Sequence, residues 1–144
     1  MKEQNYSNHA RYVVGFHLVL FPILLLTLIG SGVNLSKSWG DHTRFYSAAL
    51  IAVLTVCVFV LAFCARIFAL KAQDRAIRAE ENFRHYLLTG KPLDSRLTVR
   101  QIIGLRFASD EEFAALAAKA AEAGTSEKEI KKSVKNWKAD HYRV

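Results

Sequence analysis

The sequence predicts an all-α protein: a transmembrane helical hairpin whose long second helix extends into a small cytoplasmic helical subdomain. Three observations carry that reading. The chain is 51% hydrophobic, yet residues 12–65 hold only three charged side chains, Lys37, Asp41 and Arg44. Beyond residue 65 lie sixteen of the 20 Lys/Arg and eleven of the 13 Asp/Glu. That charged half is rich in helix formers and repeats a capping-box spacing. Such segregation excludes a single soluble core, a collagen-like repeat and an acidic disordered tail. Three regions follow: an N-terminal cytoplasmic arm (1–11), a two-span hairpin (12–65) and a cytoplasmic helical region (66–144).

The first span is the uncharged run 12–36, 25 residues long. A helix crosses the hydrocarbon layer with about 20 residues. The run also exceeds the apolar stretch of a secretory signal, whose cleavage near Gly30-Ser31-Gly32 would leave one span. Pro22 sits inside it, where a missing backbone donor predicts a kink. The loop 37–44 contains Gly40 and Asp41 as turn formers. Its shortness makes the spans antiparallel neighbours. The second span, 45–65, is 21 residues long. Tyr12, Trp39 and Tyr46 stand at interfacial levels. Ala48 with Ala52, Ala65 with Ala69, and Gly15 and Gly30 offer small-residue seams for close helix approach.

Orientation follows from positive charge. The loop holds two Lys/Arg, whereas Arg66, Lys71, Arg75, Arg78 and Arg84 follow the second span and Lys2 and Arg11 precede the first. Both termini are therefore expected in the cytoplasm. Arg66 to Thr89 contains neither proline nor glycine, so one helix should run from about Thr43 to Thr89, closed by Gly90 and Pro92. Along it, Phe68, Ala72, Ala76, Ala79, Phe83 and Leu87 form an apolar stripe. Asp74–Arg78 and Glu80–Arg84 have the i,i+4 spacing of surface ion pairs.

After the linker 90–95, three short helices are expected. Their caps are Thr98 with Gln101, Ser109 with Glu112, and Ser126 with Glu129. Gly124 ends the second. The third should present Ile130, Val134 and Trp137 on one side and Lys128, Lys131, Lys132, Lys135 and Lys138 on the other. None is stable alone, so together they should cover the stripe on the long helix.

The chemistry-bearing residues form no recognisable centre. Cys57 and Cys64 share a helix side but stand about 10 Å apart along the axis, too far for a disulfide. His9, His17, His42, His85 and His141 have no metal-ligand spacing. His17 lies within a span, where ionisable groups are functional candidates, but the second span offers no histidine to serve as a second axial haem ligand. No phosphate loop, dinucleotide fingerprint, zinc motif or nucleophile elbow is present. Helix-surface pairing explains Glu80 and Glu81. The favourable helix N-terminus explains Asp110, Glu111 and Glu112. No catalytic residue, cofactor or metal is assigned.

Four runs resemble a family of small bacterial two-span inner-membrane proteins of unknown function: QDRAIRAEENFRH (73–85), TGKPLDSRL (89–97), LRFASDEEF (105–113) and NWKADH (136–141). The resemblance spans most of the chain. It implies two spans with a cytoplasmic helical tail and placement in the bacterial inner membrane. It carries no activity and transfers no catalytic residue.

The expected function is that of a non-catalytic accessory or scaffold component of a membrane assembly. Its partners would be the lipid bilayer and either another protein or a second copy. Arg75, Arg78, Arg84 and Trp137 are the candidate partner surface. The alternative is a regulator responding to lipid headgroups or nucleic acid through Lys128, Lys131, Lys132, Lys135 and Lys138. Nucleic acid is the disfavoured ligand, because no aromatic interleaving or reading helix accompanies the lysines.

Overall fold

The computed structural model describes residues 4–10 and 12–141 and is all-helical, with an isolated bridge as the only β pairing among these residues. Lys2 and Arg11, counted in the orientation argument, lie outside the described residues. Five α-helices follow in order: α1 (Phe21–Lys37), α2 (His42–Thr89), α3 (Val99–Leu105), α4 (Asp110–Ala123) and α5 (Glu127–Ser133). Two compact units emerge, one comprising Tyr12–Ala69 and the other the arm together with residues from Leu70 onward. The long helix α2 contributes to both.

In the first unit, α1 is preceded by a π-helical turn, Gly15–Leu20. Phe21 N–H donates to the Phe16 carbonyl, five residues back. Pro22 explains the position of this turn. Its ring would press on the carbonyl four residues earlier and it has no N–H to donate. The wider winding relieves that crowding, and π turns and prolines are both recognised causes of helix bending. Proline alone could be read from the sequence, but not the π turn.

Between α1 and α2 the seam is built from small side chains. Ser31 on α1 and Ala48 and Thr55 on α2 are buried. The Thr55 hydroxyl donates to the Ile51 carbonyl at 2.8 Å and Ser31 to the Leu28 carbonyl at 2.9 Å. Their polar atoms are thus satisfied within their own helices. Phe21 closes one end against Phe59 and Phe63, with ring centroids 5.4 and 5.9 Å apart. Of the small residues singled out in the sequence, Ala48 is buried and Ala52 half-buried. At Gly15 and Gly30 an added Cβ would meet open space. The turn is closed by Gly40, at φ 97°, and by Asp41, whose carboxylate accepts from the Arg44 N–H at 3.1 Å.

In the second unit, α2 ends as its sequence dictates. Gly90 takes φ 71° and donates to the Tyr86 carbonyl at 2.8 Å. Complete capping boxes open α3 (Thr98 with Gln101) and α5 (Ser126 with Glu129), and Gly124 ends α4 in the left-handed conformation. Leu105, Phe107, Phe113 and Ile130 are the largest fully buried side chains. The buried Gln101 donates to the carbonyls of Ala120 and Thr125, tying α3 to the end of α4.

Four local expectations are corrected. Ser109 makes no capping bond, and the reciprocal half of the box is lost because Glu112 turns to the backbone N–H groups of Lys135 and Asn136. The last helix stops at Ser133, since Val134 adopts an extended conformation. The following segment then pairs with the α3–α4 connection: Lys138 N–H donates to the Phe107 carbonyl and Ser109 N–H to that of Asn136. Neither Asp74–Arg78 nor Glu80–Arg84 forms an ion pair, and Arg84 takes Glu81 instead. Lastly, the short helices do not cover the stripe. Phe83 and Leu87 are 63% and 68% exposed, while the face of α2 that packs carries Ile77, Glu81, Arg84 and His85. Burying charge is tolerable there because its partners are present.

Gly104 marks the tightest helix approach. A Cβ there would meet the Glu127 carbonyl oxygen at 3.1 Å and Ile130 at 3.3 Å. Gly104→Ala is therefore expected to destabilise the second unit by about 1–3 kcal/mol through overpacking. Gly30→Ala, with open space around it, should be neutral or stabilising. Urea midpoints of the purified full chain distinguish the two.

Candidate functional site

The charged residues singled out in the sequence converge only in part. Arg84 projects from the packed face of α2 and is nearly enclosed. Its Nε donates to Asp110 Oδ1 at 2.7 Å, Nη1 to Glu81 Oε2 at 3.0 Å and Nη2 to the Ala108 carbonyl at 2.7 Å. The guanidinium also lies 4.3 Å from the centroid of the Phe113 ring. A planar fork of donors suits this arrangement better than a lysine ammonium. The result fastens the start of α4 to α2. The Arg84 bond holds the Asp110 carboxyl below its ordinary range, with the arginine's charge adding to the effect.

Trp137 packs inward as well. Its ring stands 4.9 Å from Phe107 and 5.8 Å from His9. His9 is a residue the sequence gave no reason to select. Its Nδ1 lies 2.7 Å from the Tyr6 carbonyl, and its ring edge meets Phe107. Histidine in a turn-rich arm carries no periodic signal, so only the folded arrangement reveals it. Lys131 closes this cluster, 2.6 Å from Glu127 and over the Phe107 ring. Nearby, the buried Arg106 pairs with Asp140 at 3.0 Å, and the Asp140 N–H donates to Gln4. The N-terminal arm and the C-terminal segment are thus held on one module.

The remaining candidates are exposed and dispersed. Arg75 and Arg78 border a cavity of about 420 Å³ shared with Asn82, Asp94, Leu97 and Ile102. Asp94 there is bound by Arg96 at 2.7 Å, which holds its pKa down to about 2. Lys128, Lys132, Lys135 and Lys138 are exposed, but the end of α5 at Ser133 removes the single helical face that would have aligned them. Lys132 lies over the Tyr6 ring, and Lys135 and Lys138 border an open cleft of about 950 Å³ with Asp110 and Glu111. Among the described residues, no three His, Cys, Asp or Glu side chains gather as a metal-binding group. Cys57 and Cys64 are free thiols, and His17 engages the backbone of Val13 within its own turn.

These features define a class: an all-α protein with two long apolar helices and a small helical module fastened by internal ion pairs. The model of the family of unknown function DUF6526 matches residues 1–144, and the chain belongs to that family. No curated protein and no solved structure matches it.

Arg84→Ala should cost about 3 kcal/mol, because it strands the buried Glu81 carboxylate. Asp110→Asn should cost under about 1 kcal/mol, since the Asp110 side chain is 59% exposed. Acid titration supplies the sign. Above the ordinary value of 3.8 the Asp110 carboxylate is charged in both states and its pairing counts in full. Below 3.8 the unfolded chain takes up the proton first, so stability falls until the folded carboxylate is protonated too. Asp110→Asn should flatten that part of the acid limb, measured as urea midpoints below pH 4.

Proposed function

We propose that this chain is an integral protein of the bacterial inner membrane, with both termini cytoplasmic. Its work would be that of a non-catalytic accessory or scaffold component of a membrane assembly. The observation that carries the reading is the exposure of the two apolar helices. Gly15–Lys37 and His42–Thr89 are each long and apolar enough to cross a membrane, and their most apolar windows are only 6% and 11% buried. A core helix of a soluble protein would be mostly buried. Leu26, Leu54 and Leu61 stand 69%, 64% and 65% exposed, an apolar surface far beyond what water tolerates. Tyr12, Trp39 and Tyr46 are exposed at the levels where interfacial aromatics belong.

The scaffold role is supported by how the module spends its charges. Two of the clustered carboxylates are engaged structurally: Asp110 by Arg84, and Glu112 by two backbone donors. With these two committed, exposed helix surface is the material with which we read the module as acting. Arg75 and Arg78, exposed on α2, stand as the partner-facing residues, whereas Arg84 and Trp137 support the module behind them.

Alkaline carbonate extraction should leave the chain in the membrane pellet. A reporter fused after residue 144 should be active only in the cytoplasm, and one inserted in the 38–41 turn only outside it. Affinity purification from native membranes in mild detergent should then recover the chain in a complex. Release into the carbonate supernatant would overturn the membrane reading. A chain recovered alone from native membranes, with neither partner nor second copy, would overturn the scaffold reading.

A further inference from the structure

The exposed stripe on α2 is the feature that the module leaves unused. Within the second unit, Ala72, Ala76, Ala79, Phe83 and Tyr86 follow one another at intervals of 4, 3, 4 and 3 residues. That is the spacing of the two core positions of a heptad. All five are exposed, with Leu87 at their edge. The packed residues Ile77, Glu81 and Arg84 lie on the opposite side of the same helix. An isolated amphipathic helix buries its apolar side and gives its charges to water. Here α2 buries an ion pair in its own module and keeps its apolar side outward, so the apolar side is available to another body.

We infer that this face pairs with the same face of a second copy of the chain, as a parallel two-helix coiled coil. Charge complementarity selects the occupant. With Ala72, Ala76, Ala79, Phe83 and Tyr86 at the core positions, Arg75 and Glu80 fall on the two flanks. They are five residues apart, the separation at which flanking residues of parallel helices meet across a two-fold axis. Arg75 of each copy therefore faces Glu80 of the other, giving two equivalent ion pairs. Both residues are exposed, and neither has a hydrogen bond or ion pair among the described residues. Antiparallel pairing would lose this match. The inference rests on the membrane reading for direction, because two copies inserted with the same topology can only present α2 in parallel. Alanine at three successive core positions lets the backbones approach closely, and Phe83 and Tyr86 supply the larger apolar area beyond them.

The test uses the full chain in native membrane vesicles with Cys57→Ser and Cys64→Ser as background. Single cysteines are then placed by Ala76→Cys, Ala79→Cys or Arg78→Cys. Mild oxidation should give a product of twice the chain mass from Ala76→Cys and Ala79→Cys, and not from Arg78→Cys, which stands off the face. In the Ala76→Cys chain, Arg75→Glu or Glu80→Arg alone should lower the cross-linked fraction about fivefold, and the two together should restore it. Carbonate extraction of the same vesicles reports insertion separately. A chain that stays in the pellet but does not cross-link overturns the pairing and leaves the membrane reading standing. Release of the chain into the supernatant overturns the membrane reading. Equal cross-linking at all three positions, or a product of another mass, overturns the proposed face or its occupant.

Discussion

The second unit depends on the guanidinium of Arg84 and the partners gathered around it. One side chain on α2 reaches a carboxylate on its own helix, a carboxylate and a carbonyl at the start of α4, and the face of Phe113. Removing an ion from water is costly, and the cost is recovered only where every donor finds a partner. Here the partners come from two elements distant in sequence, so the charge is satisfied only when α4 is docked. The ion pair therefore specifies an arrangement as well as supporting it. Ile77, the buried apolar side chain that α2 contributes to the core cluster, could not by itself choose among the rotations of an alanine-rich helix.

The same logic orders the rest of the module. Arg106 pairs with Asp140, and the Asp140 backbone reaches Gln4, so the segment after α5 and the arm before the first apolar helix are fixed through one buried cation. Glu112 abandons its own capping box to hold the backbone of Lys135 and Asn136. Where a helix lacks a competing demand, as at Thr98 and Ser126, the capping box forms in full. A local rule yields only where a tertiary contact offers the same side chain more hydrogen bonds.

This explains what could be read from the sequence. Helix existence and helix ends were legible because they depend on neighbours: the absence of proline and glycine before Gly90, the left-handed glycines at 90 and 124, and the capping spacings. The two long apolar helices were legible as uncharged runs, although the second continues to Thr89, well beyond the run. Which face of α2 packs was not. Periodicity identifies an apolar stripe but does not say what covers it, and the expectation that the short helices would do so assumed that apolar residues turn toward the nearest partner. The inward turn of Arg84 and Lys131 was equally hidden, because each looks like a surface residue until Asp110 and Glu127 are placed beside it, whereas Trp137 was legible as the apolar companion of Ile130 and Val134.

The inverted placement of polarity on α2 has a physical consequence for how such a protein can be built. Between Tyr12 and Ala69 the buried side chains are small or hydroxyl-bearing, with the polar atoms of Ser31 and Thr55 satisfied within their own helices, while many large apolar side chains stand exposed. From Ile77 to Arg84 the inward side of α2 is chiefly polar, and the outward side remains apolar. Within each unit, large apolar side chains of α2 stand exposed. On the membrane reading proposed above, the bilayer would cover the outward apolar side of the first unit. Outside a bilayer water would not cover the apolar stripe of the second unit, and the second copy inferred above, with its flanking charges of opposite sign, would. Pairing along α2 would therefore complete the helix by the same principle that makes its apolar span stable.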